Sequence, residues 1–92
     1  MIYLDHAATT SVNPEALKAA WAFLTSEFGN ASSHHELGYR ASTALEDARM
    51  RVARTLDCRT SEVTFTSGGT ESDNLGIIGL ALANPRGKHI VT

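Results

Sequence analysis

The segment "TFTSGGTESDN", Thr64–Asn74, decides the fold prediction, because it joins a strand ending, a glycine pair and a helix start. Alternating β-branched residues at 62–66 predict a strand. After Gly68 and Gly69, a run rich in Leu, Ile and Ala predicts a helix over 70–83 that is buried on more than one side. Glycines at such a junction are typical of a tight turn or of a place where a ligand approaches the backbone.

The residues that follow extend this pattern to strand, turn, helix, strand. Asn-Pro-Arg-Gly at 84–87 ends the helix, and 88–92 predicts another strand. A connection of this length predicts two parallel strands with a right-handed crossover. A parallel sheet needs layers on both faces, which two strands and three helices cannot supply. The sequence therefore predicts the front end of a larger α/β domain, with a complete small α+β domain as the alternative.

Two further helices are predicted before this unit. Asn13 as N-cap and Pro14 at the first helical position start one, whose apolar stripe continues to Phe28 and is expected to be buried. A longer helix is predicted over 36–56. The predicted organisation is a short strand and loop at 1–13, two helices at 14–59 and the start of a parallel sheet at 60–92.

Composition is that of a soluble globular protein, with 92 residues, 42% hydrophobic, 20% charged and a formal net charge of −2. This balance indicates neither a nucleic-acid surface nor an acidic tail. The apolar stretch at 75–84 is too short for a bilayer, which needs about 20 residues. The first residues lack the pattern of a secretory signal, and a single cysteine, Cys58, fits a reducing compartment. We therefore expect a cytoplasmic protein.

Residues 67–70 are a candidate phosphate site. In α/β sheets, ligands bind beyond the carboxyl ends of parallel strands, where this segment is predicted to lie. Free N–H groups of a first helical turn, the helix dipole and the Thr70 hydroxyl suit an anion. Ordinary turn and cap chemistry explains the same residues equally well. Neither a dinucleotide fingerprint nor a Walker loop is present, and Glu71 and Asp73 must point away from any anion.

Three motifs resemble, in order and interval, the N-terminal motifs of cysteine desulfurases, which are pyridoxal-phosphate enzymes of the class V aminotransferase group. They are "YLDHAATT" at Tyr3–Thr10, "FGNASSHHELGYRA" at Phe28–Ala41 and "TFTSGGTESDNLGI" at Thr64–Ile77. The resemblance covers essentially the whole chain. Two departures are Ala31, where the family usually has Pro, and His6, where Asn is commoner.

The resemblance implies the N-terminal part of a pyridoxal-phosphate transferase fold, an aspartate aminotransferase-like large domain of helices plus the first parallel strands. It implies removal of sulfur from L-cysteine to give L-alanine and an enzyme persulfide, for iron–sulfur assembly, tRNA thiolation or DNA phosphorothioation. Gly69 and Thr70 match the pair that holds the cofactor phosphate. The segment Asp5–Thr10 matches a loop that lines the active site, without a catalytic role. The family's catalytic lysine and cysteine match no position here, so no catalytic residue is assigned and the 92 residues alone are expected to be inactive.

The same resemblance implies a homodimer with sulfur-acceptor proteins as partners, and no direct nucleic-acid or membrane partner. The alternatives are a selenocysteine lyase, another class V aminotransferase, or a non-catalytic fragment.

Other chemically suggestive residues have plainer interpretations. Cys58 is a small residue at a helix end, and Lys18 and Lys88 are expected to be solvated rather than to form a Schiff base. His34 and His35 are adjacent, so they do not converge readily on one metal ion, and no cysteine or acid clusters with them. We predict a packing or helix-capping role for this pair and no metal site.

Overall fold

The computed structural model describes residues 1–87 and 89–92. Their regular elements are α1 at Pro14–Leu24, α2 at Glu36–Thr55, a single 3-10 turn at Thr60–Glu62 and α3 at Gly69–Ala83. They belong to two compact units, Met1–Thr60 and Ser61–Thr92. The predicted bounds of the second and third helices agree with α2 and α3 to within one residue, because both helices carry strong local signals.

Helix α1 begins where the sequence predicts. The Asn13 side chain accepts hydrogen bonds from the backbone N–H groups of Glu15 and Ala16, at 2.9 and 3.3 Å. Pro14 occupies the first helical position, where its missing N–H costs nothing. The start of α1 is thus fixed by two consecutive residues, Asn13 and Pro14.

The end of α1 differs from the prediction. The helix stops at Leu24, whereas its apolar stripe predicted an extension to Phe28. Thr25 leaves the helical conformation, and its hydroxyl donates to the Trp21 carbonyl at 2.8 Å. Glu27 N–H donates to the Ala22 carbonyl at 2.8 Å, closing a wider turn. The prediction was wrong here because a hydroxyl next to the backbone competes with helix continuation, which hydrophobic spacing does not register.

An imidazole caps α2. His35 Nδ1 accepts a hydrogen bond from the Gly38 N–H at 3.2 Å, which confirms for His35 the capping role predicted for the pair His34 and His35. At the same place the chain contacts itself closely. A Cβ added at Gly29 would overlap the Leu37 carbonyl, and one added at Gly38 would overlap the Ser33 carbonyl. These two glycines therefore allow backbone to pack on backbone.

The other end of α2 closes in a Schellman motif. Cys58 N–H donates to the Ala53 carbonyl at 3.0 Å, and Asp57 N–H donates to the Arg54 carbonyl at 3.3 Å. Asp57 supplies the left-handed residue that the motif requires, with φ of 52°. An aspartate thus stands where glycine is the usual choice.

None of the predicted strands forms within residues 1–87 and 89–92. Segments 2–4 and 62–66 are irregular apart from the 3-10 turn that ends at Glu62, and residues 89–92 are irregular as well. Lys88, the first residue of the third predicted strand, lies outside the described residues. A strand exists only when its backbone pairs with a neighbour, and these short segments do not pair with one another. The first parallel strands are therefore not confirmed.

The helices leave their apolar faces uncovered. Ala53, 2% exposed, is the buried apolar residue of the described chain, whereas Trp21 and Leu80 are 61% and 74% exposed. No residue of α1 or α3 is buried, so the predicted burial of their faces was wrong for this chain. The reason is that no described residue covers them, and apolar faces of this extent are typical of contact surfaces. None of the described helices has the length and apolar content needed to span a bilayer.

Candidate functional site at the start of helix α3

Helix α3 begins without a side-chain cap. Its N-cap residue is Gly68, which has no side chain to accept a hydrogen bond, whereas Asn13 and His35 cap the other two helices. The first backbone bond across the junction joins Ser72 N–H to the Gly68 carbonyl at 3.1 Å. The N–H groups of residues 69–71 have no acceptor in the described part of the chain. They form a cluster of free donors at the positive end of the helix dipole.

The glycine pair is not required by the turn itself. Gly68 is fully extended, with φ of 166° and ψ of −175°, a conformation open to any residue. Among the described residues, Gly87 is the glycine with a left-handed φ, at 144°. A Cβ added at Gly68 or Gly69 would meet no described atom within 4 Å, in contrast to Gly38. Neither dihedral angles nor packing within the described chain explains two glycines here.

Glu71 is bonded to the residue before the glycines. Its Oε2 atom accepts hydrogen bonds from the backbone N–H of Ser67 at 2.8 Å and from the Ser67 hydroxyl at 2.5 Å. The hydroxyl, and after it the N–H, stabilises the charged carboxylate and lowers the pKa of Glu71. Sequence reasoning treated Glu71 only as a charge near the site. The signal for its bond was the spacing Ser-x-x-x-Glu, one residue longer than a capping box.

A second side-chain pair connects the same two segments. The Thr66 and Ser72 hydroxyl oxygens are 2.5 Å apart, and Thr66 Oγ1 also donates to the Gly68 carbonyl at 3.1 Å. The Thr70 hydroxyl, in contrast, makes no hydrogen bond with any described residue, although the Thr70 carbonyl accepts from Asn74 at 2.7 Å. Of the three hydroxyl groups at positions 66, 67 and 70, the one on Thr70 is available to a ligand.

The loop at Asp5–Thr10, predicted to line an active site, lies in the unit Met1–Thr60 and is organised by a tyrosine. The Tyr3 hydroxyl is 2.9 Å from the Asp5 carbonyl and 2.7 Å from the Thr9 carbonyl, so one O–H serves two acceptors. The Tyr3 ring meets the His6 ring edge-on at 4.9 Å. His6, one of the two residues that depart from the family pattern, thus contacts the side chain that shapes the loop.

Comparison with known protein families shows which family the chain belongs to. The model of the aminotransferase class-V family matches residues 2–92. The chain belongs to the class-V aminotransferase family. No solved structure matches it.

Curated class-V relatives match over the same length. A cysteine desulfurase IscS of Dictyoglomus turgidum is 47% identical over 92 residues, and one of Methanosarcina thermophila is 46% identical over 92 residues. Each match covers 99% of this chain and 23% of the relative. A NifS/IcsS protein homolog of Lactobacillus delbrueckii is 50% identical over 93 residues, covering 100% of this chain and 24% of the relative. The chain thus spans about a quarter of the length of these relatives.

The remaining candidate residues of this class-V segment lie apart from the start of α3 in the sequence. Cys58 is partly exposed just beyond α2, Lys18 is exposed on α1, and Lys88 lies outside the described residues. Within 1–87 and 89–92, no three His, Cys, Asp or Glu side chains come close enough together to hold a metal ion. The structure brings Gly69 and Thr70 together in the first turn of α3, between Gly68 and Glu71.

Proposed function

We propose that this segment is part of a cysteine desulfurase, which removes sulfur from L-cysteine to give L-alanine and an enzyme persulfide. We propose further that Gly69 and Thr70 hold the phosphate of pyridoxal phosphate. Membership of the class-V family and the names of relatives at 46–50% identity support the activity. Homodimer formation and the sulfur acceptors follow from the resemblance to cysteine desulfurases and are predictions. The cytoplasmic location is also a prediction, and it rests on the single cysteine, Cys58.

The observation that carries the phosphate proposal is the free first turn of α3. Three consecutive N–H groups, at residues 69–71, have no acceptor among the described residues, and no Cβ at Gly68 or Gly69 keeps a ligand away from them. Since the turn does not itself require glycine, the pair is better explained by close approach of an anion. The sequence pattern left turn and ligand equally open, and the free donors favour the ligand.

Charge and side-chain chemistry fit the same ligand. Thr70 offers an uncommitted hydroxyl beside the free N–H groups, whereas the hydroxyls of Thr66 and Ser67 are engaged elsewhere. A dianionic phosphate gains from the dipole of a helix that runs from Gly69 to Ala83. The negative charge of Glu71, which by itself would repel a phosphate, is held on Ser67 by two hydrogen bonds. The donors in this turn thus suit a phosphate better than a cation or a neutral group.

When bound, pyridoxal phosphate supplies the electron sink that weakens bonds at the α-carbon of an amino acid. The role of this chain is positional. Gly69 and Thr70 bind the phosphate end, and fixing that end orients the opposite end of the ring towards the groups that react. Neither residue is assigned a proton transfer.

Incubating the full-length protein with L-cysteine and a reductant tests the activity. We expect alanine and sulfide in equal amounts, with both products dependent on added pyridoxal phosphate. Selenocysteine in a parallel reaction separates the two lyase activities. Turnover of selenocysteine alone, or transamination without release of sulfur, would reject the desulfurase assignment while leaving the family intact.

A further inference from the structure

We propose that Glu71 is a positioning residue for the phosphate site: it holds Ser67 and so fixes the glycine turn that presents the free N–H groups of α3. The inference rests on the phosphate site proposed above. It assigns to an acidic residue a favourable effect on the binding of an anion, which is the opposite of what its charge alone predicts.

The geometry of the contact carries this role. Both hydrogen bonds from Ser67, at 2.8 and 2.5 Å, end on the single atom Oε2 of Glu71. They span Gly68 and Gly69 and connect the residue before the pair to the first turn after it. Glycine has the greatest backbone freedom of all residues, and no described atom lies within 4 Å of a Cβ added at either position. The turn therefore depends on restraints from outside the glycines.

The contact leaves the donors of the first turn free. In a capping box, the acid at the third helical position binds the N–H of the N-cap residue. Glu71 occupies that position but binds Ser67, one residue before the N-cap Gly68. The pair Thr66 and Ser72 supports the turn in the same manner, with oxygens 2.5 Å apart. Both pairs secure the turn without using the N–H groups of residues 69–71 or the hydroxyl of Thr70.

Charge and position make opposite predictions, which makes the proposal testable. A carboxylate near a bound phosphate repels it, so a purely electrostatic neighbour would tighten binding when removed. A positioning residue would weaken binding when removed, because the turn must then be ordered at the moment of binding. Asp73 is the matched control, since it lies two residues further along α3 and its carboxylate makes no hydrogen bond with any described residue.

The experiment measures the dissociation constant of pyridoxal phosphate by equilibrium dialysis against the full-length apoprotein at fixed pH and salt. We expect Glu71→Ala to weaken binding about five- to thirtyfold, the equivalent of ordering one residue's backbone on binding. Glu71→Gln keeps an acceptor oxygen of the same reach and should restore most of the affinity. Asp73→Ala removes the same charge without a bond to Ser67 and should leave binding unchanged or tighter.

Amide hydrogen exchange of Ser67 in the apoprotein gives a readout independent of the cofactor. We expect faster exchange in Glu71→Ala and near-parental exchange in Glu71→Gln and Asp73→Ala. The proposal is overturned if Glu71→Ala binds the cofactor as tightly as the parent, or if Glu71→Gln restores neither affinity nor protection. Equal losses of melting temperature in apo and holo forms, with an unchanged dissociation constant, would reduce Glu71 to a structural residue and overturn it as well.

Thr70→Ala and Gly69→Val separate this inference from the proposed function. If both leave the dissociation constant unchanged, the phosphate binds elsewhere and the proposed site fails. If both weaken binding while Glu71→Ala does not, the site stands and the positioning role alone is wrong.

Discussion

Gly38, at the start of α2, lies so close to the Ser33 carbonyl that an added Cβ would overlap it. The Asn30 carbonyl oxygen would be 2.8 Å from the same Cβ. Gly38 is buried, and its N–H is also the one that His35 caps. Two backbone carbonyls thus face the position of the added Cβ, and neither belongs to a flexible side chain that could move aside. The loop before α2 is held by this contact.

Gly38→Ala should therefore destabilise the protein. Because the neighbours are backbone atoms, we expect a loss of about 1–3 kcal/mol in the free energy of unfolding, the usual cost of overpacking. Urea unfolding measures it. Gly79→Ala is the control, since a Cβ there meets nothing within 4 Å in the described chain. A Gly38→Ala variant that unfolds at the parental urea concentration would contradict the contact.

At Asp57, in contrast to Gly38, a substitution is expected to raise the stability of the fold. Asp57 closes the Schellman motif of α2 with φ of 52°, a region that costs most L-residues energy. Asp57→Gly should stabilise the protein by roughly 0.5–1 kcal/mol, offset in part by the greater freedom of glycine in the unfolded chain. Asp57→Val should destabilise it, because a branched Cβ is disfavoured at positive φ. Melting temperatures that rank valine above glycine would show that the motif does not govern this helix end.

The start and end of α1, the strands and the contact at Gly38 show which parts of the fold the sequence could and could not predict. Asn13 and Pro14 fixed the start of α1 because capping is a local interaction between neighbouring residues. The end of α1 at Leu24 was missed, since it depends on where the Thr25 hydroxyl points. An alternating sequence pattern could not establish that the predicted strands form, because a strand needs a pairing partner that no local pattern specifies. The contact at Gly38 likewise joins residues whose proximity no sequence pattern indicates.

The candidate site also has features that the sequence predicted and features that it missed. Its position after Ser67 was predictable, because a β-branched run, two glycines and a helix signal follow one another in sequence. Whether the glycines serve the turn depended on their φ angles and neighbours, which only the structure supplies. The bond between Ser67 and Glu71 was missed because its spacing falls outside the standard capping box.

The contact of Glu71 should depend on pH. Hydrogen bonds from Ser67 lower the pKa of Glu71 in the folded chain, so the interaction is fully present above the pKa of the unfolded state. It is lost as the pH falls through the lower folded-state pKa, because the protonated acid no longer accepts both bonds well. Exchange of the Ser67 amide, corrected for intrinsic rates, should therefore speed up below that pKa. In Glu71→Gln the corrected rate should be flat with pH, and a transition that survives in this variant would have another source.

Thr70 should contribute directly to cofactor affinity. Its hydroxyl has no partner among the described residues, so a bound phosphate would gain one charge-assisted hydrogen bond. Thr70→Ala should weaken pyridoxal phosphate binding roughly ten- to a hundredfold, whereas Thr70→Ser keeps the hydroxyl and should stay near the parent. Equilibrium dialysis against the full-length apoprotein compares the three. An alanine variant with the parental dissociation constant would leave Thr70 without a ligand role.

Substitutions at Gly69 distinguish most sharply between a glycine required by the ligand and a glycine required by the turn. Gly69 is the first residue of α3, its φ is not left-handed, and an added Cβ would meet no described atom within 4 Å. A side chain there should cost the apoprotein little, because no strain or overlap arises in the described chain. Gly69→Ala adds one methyl group and should be mild both for stability and for binding. Gly69→Val places a branched Cβ beside the free N–H groups, so it should lose pyridoxal phosphate.

Thermal unfolding of Gly69→Ala and Gly69→Val, with and without the cofactor, measures both effects in one experiment. We expect the valine variant to melt close to the parent in the apo form and to lose most of the rise that pyridoxal phosphate gives the parent, because ligand stabilisation follows affinity. A requirement of the turn for glycine would instead lower apo and holo melting temperatures by the same amount. That second outcome would return the glycine pair to the fold and leave the free N–H groups of α3 without an assigned ligand.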